Sequence, residues 1–557
     1  MMEKVWHKAY APGVPYEIDF ERITMSRVLS RTASKYPDGK ALNWMGNVIS
    51  YQELDGLVNR FARALTDLGV KPGDKVALLM PNLPQVVIAD YATFRIGAVC
   101  VMNNPLYTER ELKHQLNDSE SKVAVALDLL LPRMLNLKKE TGLETIITCH
   151  INDYLPFLKR ILYPLVKKGM FRKVEPQEGV YQFTDLIKKY PSDPVEDRSN
   201  WEDVAALLYT GGTTGLSKGV MQTHANLSIN VQQFAAWLPG IAAGEKLLAD
   251  LPYFHTAGFT IMQNLPVWMG LESITLPRPD PASVLEAVKK YKPAYLPGVP
   301  TIYNGLLNND QFRQMDLSFI KGYFSGGAPL PVDTYKRLKE LNGADLLSIY
   351  GLTECTVTAT VSPWGGKVKP GTEGLPVPNT EIKIVDIETG TKEMAAGEAG
   401  EILIKGPQVM KGYYKNPAAT EQVIKDGWLY TGDIGFLDAE GYLSVVDRKK
   451  DIIIAGGFNV YPNEVDDVLF AHPGILEACT VGVPDEYRGE TVESYIVVQP
   501  GETLTEEEVV SYCRKNLAAY KVPKQIFFIE QLPKSSIGKI LRREVKEMAL
   551  GKMTEAQ

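Results

Sequence analysis

Short runs of apolar residues alternate with longer amphipathic segments through the first half of the chain. FARALTDLGV (61–70) has helical periodicity, and the turn KPGD (71–74) connects it to the apolar run KVALLM (75–80). The same order recurs in VVIADYATFRIG (86–97) and AVCVM (98–102). Short apolar strands between helices are typical of βαβ units, in which parallel strands form a sheet covered by helices. We therefore predict an α/β fold built mainly on parallel sheets.

The pattern changes after about residue 370. Short β-type segments such as EIKIVD (381–386) and GEILIKG (400–406) follow, and then the charged run DRKKD (447–451). A charged segment between two folded units is typical of a hinge. The predicted units are an N-terminal domain (1–446) that includes a β-rich lobe (about 370–446), a hinge (447–451), and a small, mobile α+β C-terminal domain (452–557).

Composition limits the class of protein. Lys and Arg number 60 against 67 Asp and Glu, which gives a formal net charge of −7, and 45% of the 557 residues are hydrophobic. These values are ordinary for a folded globular protein, and the mild acidity argues against a nucleic-acid partner. The cysteines are few and form no CxxC pair, which favours a reduced, cytoplasmic compartment. They are Cys100, Cys149, Cys355, Cys479 and Cys513.

Two segments raise the question of membrane contact. Residues 251–271 contain no charged side chain and are long enough to span a bilayer. Their Pro, His, Gln and Asn residues are costly in lipid, so we predict a buried core segment instead. Residues 153–173 (DYLPFLKRILYPLVKKGMFRK) mix apolar and basic side chains, which suits a peripheral membrane contact. The alternative is a surface excursion whose apolar side packs on its own domain.

The clearest candidate for a binding site is the loop YTGGTTGLSKG (209–219), directly after the apolar run VAALL (204–208). Glycines let backbone N–H groups approach an anion, hydroxyls add donors, and Lys218 adds positive charge. In a P-loop the lysine follows a glycine and precedes Ser or Thr. Here Lys218 lies between Ser217 and Gly219. A flexible surface loop would not explain the threonine cluster, so we predict a phosphate-binding loop of another kind.

This loop resembles the signature of the adenylate-forming superfamily, which includes acyl-CoA synthetases, nonribosomal-peptide adenylation domains and firefly luciferases. The common form has Ser at the position of Gly211 and often Pro at that of Ser217. Further superfamily motifs follow in the expected order: LPYFHTAG (251–258), SGGAP (325–329), YGLTE (350–354), YTGD (430–433), DRKKD (447–451) and PKSSIGKILRR (533–543). Three other segments resemble bacterial long-chain fatty-acyl-CoA synthetases: NPLYTERELKHQLNDS (104–119), KGPQVMKGYYKNP (405–417) and GGFNVYPNEVDDV (456–468).

The resemblance implies a fatty acid–CoA ligase. Such an enzyme uses ATP to convert a fatty acid to acyl-AMP and pyrophosphate, and then transfers the acyl group to CoA. It implies Mg²⁺ as cofactor, with the fatty acid, ATP and CoA as partners, and homodimers are common among similar proteins. A medium-chain or aryl acid–CoA ligase remains an alternative, as does a catalytically silent lipid-binding homologue at the membrane surface.

The resemblance also implies roles for individual residues. Those expected to bind ATP or AMP are Thr210, Gly211, Gly212, Thr213, Thr214, Lys218, Gly326, Gly327, Ala328, Tyr350, Gly351, Thr353, Asp433 and Arg448. Those expected to serve catalysis are Lys539, Glu354 and His255, with Glu354 and Thr210 also holding the metal. Lys450 is the expected hinge pivot, and the CoA tunnel is expected at Gly456, Gly457 and Phe458. Many superfamily members carry Glu at the position of Phe458.

Simple chemistry supports several of these roles. A carboxylate and a triphosphate repel each other, so organised positive charge must dominate the site. Lys539 supplies such a charge, and Gly538 permits the tight turn that presents it. An ionised Asp433 offers only acceptors, which suits the two ribose hydroxyls. His255 is expected to shape the carboxylate pocket rather than act as a base, because a fatty acid is already ionised at neutral pH.

Overall fold

A computed structural model describes residues 4–210, 216–277, 280–455, 458–485, 488–535 and 538–556. It has a large N-terminal α/β part with parallel sheets, a β-rich lobe, and a C-terminal part built on a mainly antiparallel sheet. The predicted fold class is thus confirmed. The exact domain boundaries stay a prediction.

One large sheet carries the loop that follows residue 208. Lys75–Leu79 pairs in parallel with both Val99–Met102 and Val123–Leu127, and the residues of these strands are almost all buried. Continuous apolar runs are typical of parallel strands covered on both faces. Among the described residues the strands in order across this sheet are Gly412–Tyr413, Lys218–Thr223, Val204–Thr210, Val99–Met102, Lys75–Leu79, Val123–Leu127, Thr145–Cys149 and Val180–Gln182.

The second large sheet carries the SGGAP and YGLTE motifs. Gly322–Gly326 and Asp345–Tyr350 pair in parallel, with Ser325 opposite Ser348. Because the carboxyl ends of parallel strands meet at one edge, the two motifs lie side by side there. In the part of the chain that is described, the strands in order across this sheet are Leu375–Pro376, Thr360–Val361, Asp345–Tyr350, Gly322–Gly326, Tyr295–Gly298, Lys246–Ala249, Glu272–Thr275, Lys40–Trp44 and Asn47–Ser50.

Helices cover both sheets. Tyr51–Asp67, for example, begins at a capping box in which Glu53 N donates to Ser50 Oγ and the Glu53 carboxylate accepts from Ser50 N. The α-helices are Met25–Lys35, Tyr51–Asp67, Pro84–Arg95, Glu109–Ser119, Leu131–Lys138, Phe157–Val166, Phe183–Lys189, His224–Trp237, Leu265–Met269, Pro281–Tyr291, Pro300–Leu307, Asp310–Arg313, Val332–Asn342, Pro417–Val423, Pro462–Phe470, Glu506–Asn516 and Arg542–Ala556. The shorter 3₁₀ or π segments are Val5–Ala9, Asp128–Leu130, Lys168–Met170, Gly258–Asn264 and Thr353–Cys355.

The uncharged segment 251–271 is a buried core element, as predicted. Its centre is a π-helix, Gly258–Asn264, in which every residue is buried. Two of its polar side chains are hydrogen-bonded: Gln263 Nε2 donates to Asp90 Oδ2 at 2.9 Å, and Tyr91 Oη donates to the amide oxygen of Asn264 at 2.8 Å. Throughout the described ranges, no helix has both the length and the apolarity needed to cross a bilayer.

Two smaller sheets follow. The β-rich lobe is antiparallel and contains Glu381–Val385, Gly400–Lys405, Ile424–Lys425, Trp428–Leu437 and Leu443–Arg448. The last of these strands carries the chain into the segment 447–451. The C-terminal sheet contains Ile453–Ala455, Phe458–Val460, Ile475–Asp485, Gly489–Val498 and Gln525–Phe528.

Candidate active site

Asp433 is the centre of one polar cluster. Tyr350 Oη donates to Asp433 Oδ2 at 2.8 Å, and Arg448 Nε lies 2.6 Å from Asp433 Oδ1. Asp433 and Arg448 face each other in the register of two antiparallel strands, which fixes their separation. The aspartate is only 3% exposed. Burial raises its pKa, and the neighbouring Arg448 and Tyr350 oppose this rise by favouring the carboxylate.

A tight turn presents Lys539 to this cluster. Gly538, with φ +79°, occupies the left-handed region that favours glycine. Ser535 closes the turn, because its N–H donates to Lys539 O at 2.8 Å and its carbonyl accepts from Gly538 N at 2.9 Å. Thr301 Oγ1 of the N-terminal part donates to Gly538 O at 3.4 Å. The C-terminal turn is therefore seated against the large domain with its lysine near Asp433.

Electrostatics link Lys539 with His255. Loss of water around its ammonium, followed by repulsion from Arg448, lowers the pKa of Lys539 to about 8, although the residue as a whole is exposed. Burial and the Lys539 charge lower the pKa of His255 to about 4, so this imidazole is neutral at physiological pH. Its Nδ1 accepts from Ala257 N at 3.3 Å, which places the proton on Nε2. A neutral His255 supports the predicted role in shaping the site.

Glu354 belongs to a second group of contacts. Tyr413 Oη donates to Glu354 Oε1 at 2.8 Å, and Met410 N donates to the Glu354 carbonyl at 2.8 Å. The Lys218 ammonium lies 4.9 Å from the centre of the Tyr413 ring. Thr210 faces Lys218 across the two strands that flank the glycine-rich loop. The structure thus brings the predicted residues Glu354 and Lys218 to Tyr413, with Thr210 opposite Lys218. Tyr413 lies in the segment 405–417 that resembles bacterial long-chain fatty-acyl-CoA synthetases, but the sequence assigned it no role.

The backbone after Glu354 is strained. Thr356 has φ +67°, a conformation that residues other than glycine rarely adopt. Its buried carbonyl accepts from the Thr256 hydroxyl, and the neighbouring Thr353 carbonyl accepts from Gln222 Nε2 at 3.1 Å. Such strain persists only where the surroundings fix the chain, and it is concentrated at functional sites. No local sequence pattern distinguishes Thr356 from its neighbours.

The predicted adenine-binding turn lies beside this backbone. Gly326 is the last residue of its strand, and Gly327 and Ala328 continue into the turn. Gly351 packs so closely on the chain that an added Cβ would lie 1.6 Å from Val357 O. A glycine is therefore required between Tyr350 and the Glu354 turn.

Two further predicted residues, Lys450 and Phe458, lie outside the hydrogen-bonded clusters, although the charge of Lys450 acts on Asp433. Lys450 is exposed in the segment after the last lobe strand. Phe458 is 57% exposed, and its ring stacks on Tyr520 with centroids 4.8 Å apart. Six of the predicted site residues lie outside the described part of the chain: Gly211, Gly212, Thr213, Thr214, Gly456 and Gly457.

The arrangement is that of an enzyme that activates a substrate on a nucleotide. Residues 29–414 match the model of the AMP-binding enzyme family, and residues 464–539 match that of the AMP-binding enzyme C-terminal domain. The chain therefore belongs to the AMP-binding enzyme family.

Individual relatives are similar over almost the whole chain. A long-chain-fatty-acid–CoA ligase of Bacillus subtilis (strain 168) is 41% identical over 552 residues, which cover 98% of each protein. The crystal structure of the anthranilate CoA ligase AuaEII in complex with anthranoyl-AMP matches with a TM-score of 0.86 at 27% identity, over 98% of this chain and 99% of that one. ATP-bound MatB from Rhodopseudomonas palustris matches with a TM-score of 0.83 at 31% identity, over 94% and 99%. The predicted adenylate-forming fold is thus confirmed.

Proposed function

We propose that this protein is a long-chain fatty acid–CoA ligase. It converts a fatty acid and ATP to acyl-AMP and pyrophosphate, and then converts acyl-AMP and CoA to acyl-CoA and AMP. The observation that carries the proposal is the seating of the Lys539 turn against Thr301, with its ammonium near Asp433 and Arg448. The choice of long-chain acids rests on the similarity to the Bacillus subtilis ligase.

The first step requires that the nucleotide be held. The buried Asp433 offers acceptors to the two ribose hydroxyls, and its bonds to Tyr350 and Arg448 fix its orientation. Tyr350 presents its ring to the adenine beside the turn 326–328, and Lys218 with the threonines of its loop binds phosphate oxygens. In this proposal the Thr353 hydroxyl donates to the α-phosphate.

The residues present fit Mg²⁺ as cofactor. Mg²⁺ binds oxygen ligands and is often held by one or two carboxylates together with substrate phosphates. Glu354 and Thr210 supply a carboxylate and a hydroxyl, and Tyr413 orients the carboxylate. We assign the rest of the shell to phosphate oxygens of ATP, since Mg²⁺ is often bound by one or two carboxylates together with substrate phosphates. When bound, the ion neutralises phosphate charge.

Lys539 acts on the reacting groups. Its ammonium stabilises the charge that accumulates where the fatty carboxylate attacks the α-phosphorus, an electrostatic role that works best when the group is fixed beforehand. The neutral imidazole of His255 forms one side of the pocket for the fatty carboxylate. The second step needs a path for the thiol, and we assign it to a rotation of the C-terminal domain about Lys450 that withdraws Lys539 and brings 456–458 to the site. Lys450→Pro should therefore slow thioester formation more than adenylation.

The function is tested by measuring AMP release with short, medium, long and aryl acids, with and without CoA. We expect long-chain acids to give the highest kcat/KM. Acyl thioester should form only when CoA is present, and labelled pyrophosphate should exchange into ATP only when a fatty acid is present. Lys539→Ala should abolish the exchange. Preference for an aryl or medium-chain acid would overturn the substrate, and binding of fatty acid without any exchange would indicate a silent lipid-binding homologue.

We also propose a peripheral membrane contact through residues 153–173. Helix Phe157–Val166 contains no fully buried residue, although its Tyr163 is partly buried against the core of the domain. This exposure supports a membrane contact over the alternative that the apolar side packs on its own domain. Its strongly exposed apolar side chains are Phe157, Leu158, Ile161, Leu162, Leu165 and Val166. At 100° per residue the apolar side chains fall on one half of the helix, while Lys159 and Arg160 fall on the other. An apolar face with basic neighbours suits the inner, anionic leaflet.

Vesicle sedimentation tests this contact. We expect binding to vesicles that contain anionic lipid, weaker binding to zwitterionic ones, and loss of binding in Leu158→Glu. Leu106→Glu is the matched control, because Leu106 is 75% exposed and Leu158 is 72% exposed. Equal binding of both variants would reject the helix as the contact. The homodimer remains a prediction, which light scattering of the full chain would test.

A further inference from the structure

Arg542 connects the turn of Lys539 to the strand that precedes the hinge. It begins the last helix, a few residues after Lys539, and its guanidinium reaches three acceptors. Nη1 lies 3.3 Å from Asp447 Oδ1, and Nη2 lies 2.6 Å from both Asp466 Oδ2 and Asn463 Oδ1. A planar guanidinium with several fixed partners holds its position more firmly than a flexible ammonium would.

Asp447 is bonded on all sides. It is 1% exposed, its Oδ1 also accepts from Arg448 N at 2.8 Å, and its Oδ2 accepts from Asn463 N at 2.8 Å. Asn463 adds a further bond, because its Nδ2 donates to Val446 O at 3.1 Å. If some of these partners are lost, the negative charge of the buried carboxylate is no longer compensated, which is unfavourable. We therefore expect the contacts of Asp447 to form and break together.

The chain order shows which of these contacts join the two domains. Asp447 belongs to the strand Leu443–Arg448, which pairs with the β-rich lobe of the large domain. Asn463, Asp466 and Arg542 all follow the segment 449–451. The bonds from Asn463 and Arg542 to Asp447 therefore cross from one domain to the other, whereas the bond between Arg542 and Asp466 lies within the C-terminal domain. A rotation at 449–451 breaks the first set and leaves the second intact.

We propose that Asp447 and Arg542 form a latch that holds the C-terminal domain in the orientation in which Lys539 faces Asp433. Closed, the latch favours adenylation, and it opens for the thioester step. Arg542 is thus a positioning residue that acts through Lys539. The proposal rests on the two-step function proposed above. The opposing view is that the cluster only stabilises the C-terminal domain, in which case both steps should suffer equally when it is weakened.

Separate measurements of the adenylation and thioester-forming rates of the full chain distinguish the latch from a purely stabilising role. In Asp447→Asn, a single side-chain oxygen remains, so the amide cannot accept from both Asn463 N and the Arg448 N–Arg542 pair, and it carries no charge for Arg542. We expect adenylation to slow about tenfold or more, since small displacements of a reacting group have effects of this size, while thioester formation from preformed acyl-AMP is unchanged or faster. The matched control is Glu464→Gln, which removes an ion pair with Lys521 at 2.6 Å within the C-terminal domain. It should leave the ratio of the two rates unchanged.

A structural readout makes the test independent of turnover. Lys449 and Lys450 are already exposed, so trypsin cleavage here is limited by how firmly the backbone is held. Opening of the latch should free the backbone at 448–450, so Asp447→Asn should be cut there faster than wild type and Glu464→Gln should not. If Asp447→Asn fails to fold, Asn463→Ala provides the same comparison. Equal slowing of both half-reactions, or unchanged cleavage, overturns the latch. Absence of acyl-AMP formation by the wild type with every acid would instead overturn the proposed function.

Discussion

The pH dependence of adenylation should report on Lys539. Its pKa is lowered to about 8 by loss of water and by Arg448, and the charged form is the one that stabilises the reacting anions. With this pKa the protonated fraction falls from about 90% at pH 7 to about 10% at pH 9. We therefore expect kcat/KM for adenylation to fall about tenfold per pH unit well above pH 8, because kcat/KM reports the ionisation of the free enzyme. The fatty carboxylate and the phosphates are already ionised there.

The assay is the rate of pyrophosphate release with both ATP and fatty acid limiting, so that the free enzyme is the form that is titrated, from pH 6.5 to pH 10, in buffers of constant ionic strength. Lys539→Arg provides the control, because a guanidinium keeps its proton throughout this range. Its rates should be lower than those of wild type but should not decline near pH 8. Thioester formation from preformed acyl-AMP should also lack the decline. A fall near pH 8 that persists in Lys539→Arg, or a wild-type profile that stays flat to pH 10, would refute the assignment.

Three further predictions concern single side chains. Asp433→Asn should raise the KM for ATP about tenfold or more in pyrophosphate exchange, since hydrogen bonds to a charged acceptor contribute about 1.5–3 kcal/mol. Gly538→Ala forces a side chain into a left-handed turn at a cost of about 1–2 kcal/mol, so rapid-quench measurements should show slower adenylation and normal thioester formation. Burial lowers the pKa of His150, but its bond with Asp153 and the charge of Asp128 outweigh this and leave the pKa raised. This histidine should therefore stabilise the fold below pH 6.5 and lose that contribution as pH rises through its folded pKa, so thermal unfolding of wild type and His150→Gln should converge at high pH.

Much of the architecture is predictable because it depends on local patterns. The apolar runs at 75–80 and 98–102 are parallel strands because each is short, continuous and followed by a turn or helix. Glycine and threonine residues at the ends of strands likewise predict the position of the phosphate loop. These signals extend over a few residues, within which the sequence is informative.

Contacts between distant segments are not predictable in the same way. Tyr413 orients Glu354 across 59 residues, and Arg542 meets Asp447 across 95. Neither tyrosine nor arginine is unusual at these positions until the fold brings them together. The helix at 157–166 shows the same limit: its composition suits either a buried or a lipid-facing side, and only its observed exposure decides against burial.

The charges of the site are divided between the two domains, and this division explains why a latch is needed. Arg448 lies before the pivot, whereas Lys539 arrives from the C-terminal domain, and Arg448 lowers the pKa of Lys539. Without a bound anion, bringing these cations together is unfavourable, and Asp433 offsets only part of the repulsion. The bond between Asp447 and Arg542 crosses the same boundary with opposite charges, so it favours the closed arrangement that the active-site cations oppose. ATP would replace that repulsion with attraction, and the release of pyrophosphate would weaken it again, which leaves the C-terminal domain free to rotate for the second step.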